Sequence, residues 1–347
     1  MEEDQMTVGP SLPLTSVIRA SGFLPLWTAG AVSTSMMWLE MLAAALFTFN
    51  ATHSAVEVAV VSACRSLPLL LSGAVMGVVA DAVDRKKIVL LGLLVVSASS
   101  TTVAVLSWLG VLSTWHLCAA ALVSGVVYAT EMPARRRMIA ETAGASMAAR
   151  AVAIDSMTNY ATRCIGPLLG GWIYGALGVA TSYCLSATAS LCAAALVSRL
   201  TTGQASTARL SLPRMRRDFI EAWQYARDSR MMTALLIVTV VTNLCGYSYN
   251  ILLTPLGRET FNLSALMIGV LSSAEPAGSF VAGAVIGSAR MRGRSLPWLL
   301  SGSILLFSRS RLPGSRACIS VRWSWCFLFS SSVESEALRT TYIRRPP

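Results

Sequence analysis

The sequence predicts an all-α membrane protein. Two facts of composition lead there: of 347 residues, 54% are apolar and only 13% charged, and the mean hydropathy is +0.60. Soluble domains carry about 25% charged residues. The third observation is the length of the apolar runs. A helix needs roughly 20 mostly apolar residues to cross a bilayer. Nine runs approach or reach that length, at about 23–49, 56–80, 88–108, 115–130, 152–176, 179–198, 231–254, 264–288 and 296–308. Barrel strands would be about ten residues long with alternating polarity, which these runs are not. The ninth run is the shortest.

Charge orients the spans. With the N-terminus inside, the inner connections hold Arg19; Arg85, Lys86 and Lys87; Arg135, Arg136, Arg137 and Arg150; seven arginines from Arg199 to Arg230; and Arg290, Arg292 and Arg294. The outer connections hold only Arg258. Lys and Arg collect on the cytoplasmic side of membrane proteins. The expectation is a multi-pass protein of the inner (plasma) membrane with a cytoplasmic N-terminus. Attraction of these cations to anionic lipid accounts for the net charge of +11 without nucleic acid as a partner. The acidic start MEEDQ, with no cleavage site after a short apolar core, makes the first run a retained span rather than a signal peptide.

Cysteine and histidine usage excludes other classes. Six of the eight cysteines (Cys64, Cys118, Cys164, Cys184, Cys192 and Cys245) lie inside apolar runs, where Cys acts as a small hydrophobe. No C-x-x-C pair occurs, so neither metal nor cofactor is expected. His53 and His116 fall on the outer side and receive no role. A membrane enzyme would need a metal cluster or a nucleophile with its base, and neither is visible.

The domain order follows. Residues 1–22 form a cytoplasmic N-terminus and 23–198 a six-helix bundle. Residues 199–230 form a cytoplasmic linker. Its second part, RDFIEAWQYARD, places Phe219, Ala222, Trp223 and Ala226 on one stripe, as in a helix lying in the membrane interface. Residues 231–308 hold three further spans. After Ser308 the composition changes abruptly: 309–347 contain seven arginines and dense serine. The change lands in the middle of a helix-length run. Residues 309–347 are therefore expected to be a non-native tail, following a reading-frame change or truncation.

Four stretches carry a family resemblance: WLEMLAAALFTF in the first span, ACRSLPLLLSGAVMGVVADAVDRKK through the second span and its loop, EMPARRRMIAET after the fourth, and DSMTNYATRCIGPLLGGWIYGALG in the fifth. Together and in this order, residues 20–308 resemble the drug- and siderophore-exporting, enterobactin-exporter-like branch of the major facilitator superfamily. The resemblance implies a major facilitator fold with a six-helix N-terminal half and an incomplete C-terminal half, about nine of 12 helices. It implies a monomeric proton-coupled antiporter that exports small amphipathic molecules, such as drugs or siderophores, by alternating access. The alternative is a chain that transports nothing because helices 10 to 12 are missing.

Candidate residues fall in three groups. The loop GVVADAVDRKK holds Gly77, Asp81, Asp84, Arg85 and Lys86. Asp81 and Arg85 are four apart and could meet on one helical face. The resemblance makes this loop a conformational latch, Asp81 facing the positive N-terminal end of helix 11. The other reading is a solvated loop that sets topology. In the fifth span, Asp155, Asn159 and Arg163 are spaced by four on one face, with Asn159 placed to relay hydrogen bonds. The same span carries Gly166, Pro167, Gly170 and Gly171. Proline removes a backbone bond and bends a helix, and the glycines admit a close neighbour. This resembles the glycine-proline motif of superfamily antiporters, and is alternatively a packing kink. Three further polar residues lie within spans. Glu40 is a proton-carrying acid or a carboxyl held by a local hydroxyl or amide. Arg65 counters an anionic group in the cavity or snorkels. Glu275, before Pro276, is the second proton candidate. Met36, Met37, Trp38 and Met41 are the candidate cavity lining.

Overall fold

The computed structural model describes residues 22–82, 84–144, 146–200, 224–225, 227–229, 232–233 and 251–288. The long elements among them are all helices: α1 (Phe23–Thr52), α2 (Ala55–Ala82), α3 (Arg85–Trp108), α4 (Thr114–Ala143) and α5 (Ala148–Ser198). Further along, the described residues 251–259 are helical (α6), and α7 (Ala265–Ser288) follows. The expected interfacial helix, the seventh and ninth spans and the tail lie wholly or largely outside the described residues.

Local chemistry sets the ends. α1 stops where His53 turns left-handed (φ 51, ψ 27), its N–H bonding to Phe49 O. Asp84 caps α3, its carboxylate accepting from the Lys86 N–H at 3.0 Å. His116 Nδ1 accepts from the Ser113 N–H at 3.2 Å at the start of α4, so this histidine is a cap. α5 has 51 residues, about 75 Å of helix, far more than one bilayer crossing needs. It is two spans joined at Gly178 (φ 82, ψ −177), a left-handed residue that glycine adopts without steric cost. Helical geometry continues through Gly166 and Pro167. The break in this element is at Gly178, between the fifth and sixth spans.

α4 differs from expectation. The hydropathy pattern ends its span near residue 130, yet the helix continues through Pro133 to Ala143. The segment EMPARRRMIAET is therefore helix, and several of its charges are inside the bundle.

α5 is the hub of the packing. It packs along α1, α3 and α7, while α2 packs on α4. Specific bonds fix the contacts: Trp27 Nε1 donates to Thr158 Oγ1 at 2.9 Å, Asn50 Nδ2 to Tyr174 Oη at 3.0 Å, Ser97 Oγ to the Ala187 carbonyl at 2.9 Å, and Ser273 Oγ to the Cys164 carbonyl at 2.6 Å. Small residues set the separations. A Cβ on Gly166 would stand 2.5 Å from Trp38 Cβ, and one on Gly170 2.9 Å from the Leu39 carbonyl oxygen. On the opposite flank of α5, a Cβ on Gly171 would stand 2.5 Å from the Ala265 carbonyl oxygen and 3.1 Å from Gly269 Cα.

The core is layered. One apolar cluster, including Phe23, Leu26, Val89, Leu93, Met138, Ile139 and Val197, fills the end of the bundle that carries the Asp84 turn. Another, including Ala43, Val61, Val103, Leu117, Val179 and Tyr183, fills the opposite end. Between them each helix of the first bundle shows polar residues in register: Glu40 on α1, Arg65 on α2, Ser97 and Ser100 on α3, Ser124 on α4, and Ser186 and Ser190 on α5.

Two glycines one turn apart give a clean test of the α5–α7 crossing. Gly171→Ala meets backbone that has no rotamer to change, and is expected to lower stability by about 1–3 kcal/mol. Gly175→Ala meets only Ala265 Cβ at 3.5 Å and is expected to stay within about 0.5 kcal/mol of the parent. Thermal unfolding in detergent reads both, and equal losses would remove the close-packed crossing.

Candidate transport site

Three polar centres lie along the bundle. The first surrounds Glu40, which is 4% exposed and accepts a hydrogen bond from Ser100 Oγ. Arg65, Tyr183 and the hydroxyl of Ser186 lie around the carboxyl. Glu40 and Arg65 line two small cavities, each about 20 Å³. Glu40 thus has a local hydroxyl, that of Ser100, on its carboxyl, and Arg65 nearby. Met41 lines the first cavity and Met37 the second, so these methionines face the interior of the first bundle.

The second centre is an ion cluster that hydropathy places in a solvated loop. Arg135 is 3% exposed and Glu131 5%. Arg135 Nε donates to Glu131 Oε1 at 3.1 Å, one helical turn back, and its Nη1 donates to Asp155 Oδ1 of α5 at 2.6 Å. Arg136, 37% exposed, approaches Asp155 Oδ2 at 3.4 Å. Room for the guanidinium comes from Gly30 of α1, where a Cβ would collide with Arg135. Glu131 and Arg135 were missed by span length; their i, i+4 spacing was the available signal. Burying a cation is tolerable only when it is paired and hydrogen-bonded, and two carboxylates meet that need.

The third centre joins α5 to α7. Arg163 Nη2 reaches Glu275 Oε1 at 3.4 Å, and its guanidinium carbon lies 5.1 Å from the centre of the Trp38 ring, a cation–π distance. The stripe Asp155, Asn159, Arg163 therefore divides among partners. Asp155 turns to α4 and Arg163 to α7. Among the described bonds Asn159 takes part through its backbone carbonyl, which accepts from Thr162 Oγ1 at 2.8 Å, and its amide relays nothing between the two charges.

The charged turn is partly described. Gly77 and Asp81 lie on α2, where only the backbone is described. α2 ends at Ala82 and α3 begins at Arg85, so Asp81 and Arg85 sit on different helices and not on one helical face. The non-helical Asp84 cap interrupts the four-residue spacing. Arg85 instead pairs with Glu141 at the end of α4. Lys86 Nζ donates to the Ser198 and Leu200 carbonyls at 2.8 and 2.6 Å, satisfying carbonyls that a helix C-terminus leaves unpaired. The turn thus pins the ends of the fourth and sixth spans.

The energies of these centres differ in a checkable way. Asp155→Ala would leave Arg135 buried with one carboxylate fewer, and is expected to destabilise by about 3–5 kcal/mol. Asp84→Ala removes an N-cap, a loss of about 1 kcal/mol. Unfolding curves of the two variants in detergent should differ by this margin, and a smaller loss at Asp155 than at Asp84 would contradict the ion cluster.

Comparisons with known proteins agree with this architecture. A family model described as "transmembrane secretion effector", of the major facilitator superfamily, matches residues 13–308. The uncharacterized MFS-type transporter YfiS of Bacillus subtilis (strain 168) is 25% identical over 230 residues, 63% of this chain and 53% of that protein. The chain thus spans about half the length of that curated relative. A bacterial homologue of the human lysosomal transporter Spinster, in its inward-facing and unoccupied conformation, superposes with a TM-score of 0.68 at 15% identity, over 92% of this chain and 74% of the other. The nucleoside transporter NupG gives 0.60 at 13% identity, over 91% and 82%. These two likenesses concern the fold. The family match spans every long helix described above, and this chain belongs to the transmembrane secretion effector family of the major facilitator superfamily, whose members are multi-pass membrane transporters.

Proposed function

We propose that the whole protein is a proton-coupled antiporter that exports small amphipathic molecules, drugs or siderophores among them, across the inner (plasma) membrane. It works as a monomer by alternating access, with its N-terminus in the cytoplasm and the Asp84 turn on the cytoplasmic face. The carrying observation is the Arg163–Glu275 pair at 3.4 Å. It links the first six spans to the helices after the linker, at a crossing packed on glycine. Protonating Glu275 removes its charge and weakens the pair, leaving Arg163 on the Trp38 face. Loss of one link between the two halves shifts the balance of their arrangements by the difference in pairing energy. A proton arriving at Glu275 is in this way converted into a change of access.

Two further features support export by this branch. The family description, transmembrane secretion, concerns outward movement. The glycine-rich stretch around Pro167 resembles the antiporter motif and lies on the helix that carries Arg163. The latch role belongs to the same reading: Asp84, Arg85 and Lys86 hold the inner ends of the first bundle together, with Asp81 on the last turn of α2.

Ethidium, an amphipathic cation, is a suitable probe. In proteoliposomes with an imposed pH gradient, Glu275→Gln and Glu40→Gln are each expected to slow uphill ethidium movement by about 100-fold. Exchanging the pair, Arg163→Glu with Glu275→Arg, should recover part of the loss if the link itself matters. A protein that moves neither ethidium nor any siderophore uphill under any gradient would end the exporter reading.

A further inference from the structure

The polar groups of the first bundle form a connected series that the crossing of the two halves does not use. Two cavities lie inside this bundle and share a wall made by Glu40, Arg65 and Ser124. The second cavity extends from Glu40 to Glu131. Each has about 20 Å³, room for a water molecule between polar partners. Glu131 is bonded to Arg135, Arg135 to Asp155, and Asp155 faces the half-exposed Arg136. Asp155 Oδ2 is buried and is approached by the Arg136 guanidinium at 3.4 Å, on the side of the inner end. Apolar clusters close the bundle above and below Glu40, so this series is its polar way out.

We propose that the coupling proton passes between Glu40 and the cytoplasm inside the first bundle, by way of Ser124 and Glu131, and not through the space between the halves. This rests on the proton-coupled reading above and adds the route. The protonated Glu40 carboxyl gives its proton to a water in the shared cavity. That water gives a proton to a Glu131 carboxylate oxygen, and Glu131 releases one to inner-side water. The Arg135 guanidinium keeps its protons throughout and holds Glu131 and Asp155 in place as a positioning residue. Arg65, on the wall of both cavities, forms no ion pair within 4.0 Å among the described residues.

Infrared difference spectroscopy of the full chain in lipid tests the route without a substrate. The carboxyl C=O band of protonated Glu40 is identified by its loss in Glu40→Gln, and its shift on transfer to heavy water reports proton exchange. Glu131→Gln is expected to slow that shift by about 100-fold, and Ser124→Ala to slow it as well. Ser124→Ala keeps the ion cluster intact and serves if Glu131→Gln fails to fold. Glu57→Gln, near the other end of the bundle where Glu57 accepts from Thr114 Oγ1, should leave the rate unchanged. Parent-like exchange in both Glu131→Gln and Ser124→Ala overturns the route, as does the absence of any protonated Glu40 band across the pH range. Either result leaves ethidium export under a pH gradient standing, so failure of the route is distinct from failure of the exporter reading.

Discussion

A guanidinium inside a helical bundle cannot be left alone, and the half of this bundle that carries the Asp84 turn is arranged around that constraint. Arg135 is 3% exposed, in surroundings where an isolated charge would cost many kcal/mol. Three elements answer it. α4 supplies Glu131 from its own preceding turn, α5 supplies Asp155, and α1 supplies the absence of a side chain at Gly30. The cluster therefore fixes the separation and rotation of α1, α4 and α5 at one point. Hydrophobic contact alone does not specify such a register, because lipid chains satisfy apolar side chains as well as a neighbouring helix does.

The rest of the packing is consistent with that logic. In a membrane, close backbone approach and interhelical hydrogen bonds supply what the hydrophobic effect supplies in water. α5 uses both devices on different flanks: Gly166 and Gly170 against α1, Gly171 against α7, and bonds to α1, α3 and α7 along its length. The large exposed residues, such as Trp108, Trp115, Trp172, Leu177 and Leu191, need no protein partner in a chain of this family, because the bilayer is their solvent.

Apolar run length located the helices well where the run and the helix coincide. α1, α2, α3 and α7 begin and end within a few residues of the runs, and Gly178 separates the fifth and sixth spans where the pattern breaks. Hydropathy failed at α4 for a physical reason. The stretch from Glu131 to Arg137 is polar by composition and contains Pro133, yet Arg135 pairs with Glu131 and with Asp155 inside the bundle and the helix continues. Composition cannot distinguish a solvated charge from a paired one. The candidate residues show the same limit. Glu40, Asp155, Arg163 and Glu275 stood out because ionisable groups are costly in a span. That Arg163 meets a residue 112 positions away depends on tertiary packing, and helix periodicity carries no trace of it. Asn159 shows the converse: correct spacing put it between two charges whose partners lie on different helices.

Asp155 and Arg163 are eight residues apart on α5, about 12 Å along its axis. One belongs to the cluster inside the first bundle, the other to the pair with α7. Pro167 has no N–H to offer the Arg163 carbonyl four residues earlier, so α5 lacks one backbone bond beside the α7 pair. On the other side the Arg135 cluster anchors the helix through Asp155. α5 is thus held at one end of this segment and less constrained at the other. Under the export reading, this asymmetry places the motion. Loss of the Glu275 charge acts where a backbone bond is missing, while the first bundle keeps its register through Arg135. The halves then shift against each other about α5 without the first bundle coming apart, and a proton route running inside that bundle stays intact through the change of access.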